Sequence, residues 1–267
     1  MAVTCRNVTL SRRIDKLRKK GETIDVLRGG AIHVLQKEKG YRFSIDAVIL
    51  ANFVQLKKHD HVAELGSGSG VISLIEASRF PTVQVVGIDI QEHLVAMAKR
   101  SVKAHGMETR VEILQGDIRH IRDIVSSRTF DAVICNPPYR RIGSGRLNPD
   151  EERAIARHEV AGTVDQFCRA AGLILKDGGR FFVIFSAART VHLMMSMKRA
   201  GIEPKMLRLV HSSKTSQADF VLAAGVRGGG EGIEVMPPLY LYKRSGVYTR
   251  EMDMIFETIT GCRESSD

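Results

Sequence analysis

Asn136-Pro137-Pro138-Tyr139 follows directly on the apolar run 131–135, and its residue types suit work on an amino group. An exocyclic amine conjugated to an aromatic ring, like an amide nitrogen, is a weak nucleophile because its lone pair is delocalised. The Asn136 side-chain oxygen and the Pro137 carbonyl can accept hydrogen bonds from the two amine protons, favouring the nitrogen as positive charge develops on it during attack. Pro137 and Pro138 in succession hold the backbone so that a carbonyl faces a ligand instead of a sheet partner. Tyr139 offers a ring on which a base can stack. The bland alternative for the tetrapeptide is a Pro-Pro turn after a core strand. Cys135, beside it, reads as a buried strand residue, not a nucleophile.

A second cluster precedes it. In 62–70, Gly66, Gly68 and Gly70 let the chain turn tightly against a ligand, with Ser67 between the first two and Glu64 two residues before them. The spacing is G-x-G-x-G, which differs from the G-x-G-x-x-G of dinucleotide enzymes. Asp89 closes the next apolar run about 20 residues later, where a carboxylate can accept hydrogen bonds from both ribose hydroxyls. Asp117 closes a third run, and Ile90 and Ile118 follow these two acids as further candidate cofactor contacts. Three acids at three successive strand ends, with a glycine loop after the first, describe a ligand site, because ligands collect at the carboxyl ends of parallel strands. Beyond Tyr139, Arg140, Arg141 and Arg146 lie next to the proposed acceptor pocket and could grip phosphates, or form a solvated basic loop. Lys16, Lys19 and Lys20, with Arg18, form another basic cluster that reads either as a track for a nucleic-acid backbone or as a disordered arm.

The elements that must position these residues are legible as β-branched runs alternating with amphipathic stretches, the pattern of a parallel sheet with helices on both faces. Seven strands are expected at 62–65, 83–89, 110–115, 131–135, 180–185, 205–211 and 220–226. Helices are expected at 71–80, 92–105, 118–126, 163–175 and 188–200, the last stopped by Gly201. Ahead of this core, 23–27 and 32–36 flank Arg28-Gly29-Gly30-Ala31 as a hairpin, and Ser44 can cap a helix whose Ile45, Val48, Ile49 and Phe53 form one apolar face. After it, Pro237-Pro238 within 233–242 suits an edge strand or surface strap, and the tail beyond Gly261 reads as disordered. The expected division is an N-terminal extension over 1–60, a Rossmann-like α/β core over 61–228 and a C-terminal strap and tail over 229–267.

The whole composition is consistent with one catalytic domain and appendages: 267 residues, 43% hydrophobic. Lys and Arg number 40 against 30 Asp and Glu, a net charge of +10 that favours an anionic partner such as nucleic acid or a membrane surface. Cys5, Cys135, Cys168 and Cys262 are scattered without a C-x-x-C pair, so neither a zinc site nor a disulfide framework is suggested, and no metal is expected. A reducing cytoplasm fits. The basic start has no apolar core of the secretory kind, and no apolar run approaches the roughly 20 residues that span a bilayer.

Taken together, these motifs resemble class I methyltransferases dependent on S-adenosylmethionine. The 62–70 loop is similar to their first motif, and Asn136-Pro137-Pro138-Tyr139 is similar to their amine-methylating motif. The resemblance implies that Glu64 partners the methionine ammonium, directly or through water, and that Asp117 meets the adenine amine. It extends further in Lys39-Gly40-Tyr41-Arg42-Phe43-Ser44-Ile45-Asp46-Ala47-Val48, in Ala156-Arg157-His158-Glu159, in Pro237-Pro238-Leu239-Tyr240 and in Gly246-Val247-Tyr248-Thr249. These look like the bacterial family that methylates N6 of adenosine 37 in one valine tRNA, matching from about Glu22 to Glu257. That family implies a seven-stranded methyltransferase fold, S-adenosylhomocysteine as co-product, tRNA as partner, and Tyr41, Phe43 and Asp46 closing over the cofactor, where the bland reading makes the aromatics packing for the next helix. His158 reads as structural or RNA-facing. The tetrapeptide does not itself choose between adenine in DNA, bases in RNA and glutamine in proteins. The core has no large insert of the kind a DNA enzyme needs for groove reading. A glutamine methyltransferase would carry a helical N-terminal domain where this chain offers a hairpin and a basic arm. An RNA-binding protein on a retired fold is the non-enzymatic alternative.

Overall fold

The computed structural model describes residues 2–27, 30–39, 42–138 and 162–259, without the side chains of 2–8 and 259. Helix α1 (Ala2–Leu17) leads into a hairpin of β1 (Glu22–Val26) and β2 (His33–Lys37), then α2 (Ile45–Phe53). The core alternates β3 (His61–Leu65), α3 (Val71–Arg79), β4 (Gln84–Asp89), α4 (Glu92–His105), β5 (Val111–Gln115), a 3-10 turn at Ile118–His120 running into α5 (Ile121–Ile124), and β6 (Phe130–Cys135). It continues with α6 (Val164–Ile174), β7 (Leu175–Ser186), a 3-10 turn at Ala187–Arg189, α7 (Thr190–Arg199), β8 (Ile202–His211) and β9 (Ala218–Arg227). Short strands β10 (Glu234–Val235), β11 (Leu239–Tyr240), β12 (Tyr242–Arg244) and β13 (Val247–Tyr248) precede α8 (Arg250–Ile259).

All seven expected strands form and lie in one sheet in the order β8-β9-β7-β6-β3-β4-β5, which β10 and β11 extend to nine strands by pairing with β8. Strands β3 to β7 are parallel to one another, and β9 is antiparallel to both β7 and β8. Strand β8 therefore runs with the parallel set, and β11 runs with β8. Apolar side chains fill both faces: α2, α3, α4 and α8 cover one, and α5, α6 and α7 cover the other. Local chemistry fixes the helix ends. Gly106, at φ +65°, terminates α4, while Thr163 and Gln166 form a reciprocal capping box at the start of α6.

Several boundaries differ from expectation for identifiable reasons. The segment read as a basic arm is helix α1. It docks on α4 because Ile14 packs with Leu35, Leu94 and Met97, and Leu10 and Leu17 close the patch. Helix α2 does not show a single apolar face: Asp46 to Ala51 and Phe53 are all buried, since α3, α8 and β7 surround it. Helix α8 was not expected at all; Met252 and Ile255 are its buried anchors. The hairpin sits on α4 through side chains that occupy the outer edge of β2: the Leu35 N–H donates to Ser101 Oγ (3.0 Å) and the His33 N–H to His105 Nε2 (3.2 Å). No described helix is long and apolar enough to cross a membrane. The tail beyond Gly261 lies outside the described residues.

Candidate active site

Strand register assembles the site. Leu65 pairs with Ile88 on one side and Cys135 on the other, so the residues that follow, Gly66, Asp89 and Asn136, leave the sheet side by side. Asp89 in turn pairs with Gln115, two residues before Asp117. The expected acids, glycine loop and asparagine therefore occupy four neighbouring strand ends on the carboxyl rim of the sheet.

The glycine loop is built from alternating left-handed backbone. Gly66, Gly68 and Gly70 have φ of +72°, +55° and +76°, values a side chain disfavours. The Gly66 and Ser67 N–H groups both donate to the Ile88 carbonyl (2.8 and 3.0 Å), which folds the loop over the end of β4. A Cβ on Gly87 would come within 3.1 Å of both Ser67 Cβ and Ser73 Oγ, so the loop also needs that glycine. Ser67 Oγ and Ser69 Oγ are buried without a hydrogen-bond partner among the described residues. Hydroxyls left so are costly unless a ligand satisfies them, which fits a polar cofactor at this loop, while Gly66 and Gly70 let the loop pack closely against Phe167 and Ala98.

Glu64 is 3% exposed, and its carboxylate accepts the Ser73 N–H (2.8 Å) and the Ser73 hydroxyl, tying β3 to the first turn of α3. Burial without a facing cation pushes its carboxyl up to about 8. Asp89 accepts the Gly68 N–H and the Gln91 N–H, both at 2.8 Å; burial raises its pKa and these two bonds oppose the rise. Each oxygen of that carboxylate retains capacity for a ribose hydroxyl. Asp117 is used differently from expectation. Its side chain caps the 3-10 turn at the Arg119 N–H (2.9 Å), and the Arg119 guanidinium clasps it, lowering its pKa. An adenine amine would have to share that carboxylate with Arg119.

Asn136 is half-buried and Pro137 buried, directly after the fully buried Cys135. Burial raises the Cys135 thiol well above its ordinary value and pushes Cys168 up to about 12, so both are inert apolar packing. Ile90 is half-buried and Ile118 buried, the latter packed toward α6. Asp46 is buried at the start of α2, accepting its neighbour Ala47 N–H (2.9 Å) and the Ser44 hydroxyl, while Phe43 packs against the core and donates its N–H to Gln36 Oε1 (2.7 Å). Lys16, Lys19 and Lys20 are exposed at the end of α1 and in the turn before β1, a turn held to α4 where Arg100 donates to the Leu17 carbonyl (2.7 Å). Tyr41, Tyr139, Arg140, Arg141, Arg146 and His158 lie outside the described residues.

Sequence reasoning missed a carboxylate behind the loop. Glu76 is fully buried on α3; desolvation pushes its carboxyl up to about 8 against the pull of Arg79 (3.2 Å), which also donates to the Ala51 carbonyl of α2. The signal was present: Glu76 is the one charged residue of Val71-Ile72-Ser73-Leu74-Ile75-Glu76-Ala77, a helical stretch without a polar face to hold it.

The family model of the methyltransferase small domain matches residues 42–200, more than half of the chain. Curated relatives named tRNA1(Val) (adenine(37)-N6)-methyltransferase include those of Pedobacter heparinus, 24% identical over 78% of this chain and 86% of the relative, and of Vibrio campbellii, 30% identical over 66% and 72%. Among solved structures, a predicted O-methyltransferase from Agrobacterium tumefaciens is 20% identical with a TM-score of 0.66, covering 80% of this chain and 96% of its own. Pyrococcus horikoshii TYW2 in complex with MeSAdo is 16% identical with a TM-score of 0.54, over 79% and 73%. Those likenesses confirm the expected class I methyltransferase fold. With glycine loop, acids and asparagine on one rim, and with the family matched over most of the core, the chain belongs to the methyltransferase small domain family and is an S-adenosylmethionine-dependent enzyme.

Proposed function

We propose that the enzyme methylates the exocyclic N6 amine of an adenine in tRNA, at position 37 by analogy with its named relatives, and that it works in the cytoplasm. The observation that carries this is the pairing of Leu65 with Cys135, which sets Asn136 beside the first glycine of the cofactor loop. S-adenosylmethionine, when bound, would supply a sulfonium methyl group, with S-adenosylhomocysteine as the co-product. Gly66, Ser67, Gly68 and Gly70 would hold it, with Asp89 at its ribose and Glu64 at its methionine end. Asn136 Oδ1 and the Pro137 carbonyl would accept hydrogen bonds from the two amine N–H groups and orient the nitrogen for attack. As the bond forms, nitrogen becomes cationic and these two acceptors stabilise it. The proton turns acidic only after transfer and leaves to water, so no strong base is required before attack. An anticodon loop also presents bases partly unstacked, which lowers the cost of extruding the target.

The test is transfer of labelled methyl from S-adenosylmethionine to unmodified bulk tRNA, with duplex DNA and protein extract in parallel, followed by nucleoside analysis. N6-methyladenosine in tRNA is expected. Label in protein alone would transfer the assignment to glutamine side chains, and label in DNA alone would equally overturn the RNA reading.

A further inference from the structure

Two segments of the C-terminal half carry cations and no acid. Residues 204–218, β8 with the turn after it, contain Lys205, Arg208 and Lys214; residues 235–250, the strap, contain Lys243, Arg244 and Arg250. In a chain with 30 acids, these acid-free stretches bring Lys214, Lys243, Arg244 and Arg250 to one place, while Lys205 and Arg208 lie earlier on β8 and Asp219 and Glu251 border the stretches. Topology gives that place: β8 runs with the parallel strands and β11 with β8, so the turn after β8 and the strap after β11 both leave the sheet on the carboxyl rim, where Asn136 also lies.

The pieces are joined into one surface. The Leu241 N–H donates to the His211 carbonyl (2.9 Å), the Tyr242 N–H to the Ser212 carbonyl (3.0 Å), and the Thr249 N–H to the Leu241 carbonyl (2.9 Å). Tyr242 stacks on Tyr248 with ring centroids 5.0 Å apart, stiffening the β12–β13 hairpin that bears Lys243 and Arg244. Arg208 is spoken for by Glu251, and Lys205 by the carbonyls of 230–232. Lys214, Lys243, Arg244 and Arg250 are exposed and form no salt bridge among the described residues. On the opposite rim Asp177 holds Arg128 and Arg227, Asp131 holds Lys176 and Asp60 holds Arg180, while Lys57 and Lys58 ahead of β3 are exposed and form no salt bridge among the described residues.

We propose that Lys214, Lys243, Arg244 and Arg250 form a phosphate-tracking surface for the RNA backbone that leads to the acceptor site, a role that rests on the RNA reading above. An RNA strand is the occupant because its repeating phosphates complement a surface of exposed cations without salt bridges among the described residues, and because each phosphate contact releases counterions. Direct binding separates this inference from the activity assignment. Bulk tRNA binding to the full chain is measured by fluorescence anisotropy across a salt series for wild type, for K214E with K243E and R244E, and for K57E with K58E on the opposite rim. The strap variant should bind tRNA at least about tenfold more weakly with a salt slope shallower by about 2, while its affinity for S-adenosylmethionine stays unchanged. The K57E/K58E control should lose less than about threefold. Equal tRNA affinity for wild type and strap variant, or equal losses in the two variants, would overturn the proposal. So would strap-dependent binding to phosphatidylglycerol vesicles without binding to tRNA. Failure of methyl transfer with strap-dependent tRNA binding intact would sink only the activity assignment.

Discussion

The two rims of the sheet differ in how completely their polar groups are satisfied. On the amino rim, Arg180 bridges Asp60 and the Gln55 carbonyl, Lys176 meets Asp131, and Asp177 holds both Arg128 and Arg227. On the carboxyl rim, among the described residues, Ser67 and Ser69 hydroxyls are buried without partners, Glu64 is buried with Ser73 donating to it, three glycines hold left-handed backbone, and strap cations form no salt bridge. A fold has no reason of stability to keep such groups unpaired. One rim holds the fold together and the other is shaped for what it binds.

That contrast can be broken by experiment. The largest effect belongs to the carboxyl rim: Asn136→Ala should lower methyl transfer about a thousandfold, by the logic of removing a preorganised partner of transition-state charge, with S-adenosylmethionine binding by calorimetry nearly intact. Loss of both together would make the residue structural. Next, on the amino rim, Arg180→Met strands the buried Asp60 and should cost about 3 kcal/mol of unfolding free energy in urea, with the KM values unaltered. A change in KM without a stability loss would erase the distinction between the rims.

A pH series sharpens it further. Glu64 and Glu76 ordinarily titrate near 4.5 and are pushed by burial to about 8. Between those values the folded chain binds more protons than the unfolded one, so stability is fully present below about 4.5 from this source and falls as pH rises through 8. Each of the two acids should cost the ligand-free protein on the order of 2 kcal/mol between pH 6 and pH 8.5, and Glu76→Gln should remove about half of the slope. A flat wild-type profile over that interval would contradict the buried state of both acids. The smallest effect is expected for Arg128→Ala, whose exposed pair with Asp177 should contribute under about 1 kcal/mol; thermal denaturation reads it.

Much of the carboxyl rim was legible because its chemistry is local in the chain. The glycines of 66–70 and the Asn136-Pro137 pair announce themselves by residue type, and the strands that carry them are short β-branched runs whose positions set the register. Asp117 shows the limit: a strand-end acid reads as a ligand partner, yet Arg119, only two residues on, is placed to clasp it. The surroundings of α2 were not legible, since burial on every side comes from α3, α8 and β7, elements distant in sequence. Helix α1 was masked by its charge. Its anchors Leu10, Ile14 and Leu17 are spaced for one helix face, but the density of Arg and Lys around them suggested an arm. The strap cations gained meaning only when topology showed which rim they occupy.

The hairpin of the extension carries a consequence for self-association. A two-stranded sheet exposes two rows of amides and carbonyls, and either row can template pairing with another chain. Here helix α4 stands where a third strand would, its Ser101 hydroxyl and His105 ring taking the outward N–H groups of Leu35 and His33. His105 can do so only as the neutral tautomer that keeps its proton on Nδ1, which donates to the Ser101 carbonyl at 2.7 Å. The helix thus acts as a chaperone for an edge within its own chain, closing the β2 side of the hairpin to recruitment by a neighbouring copy.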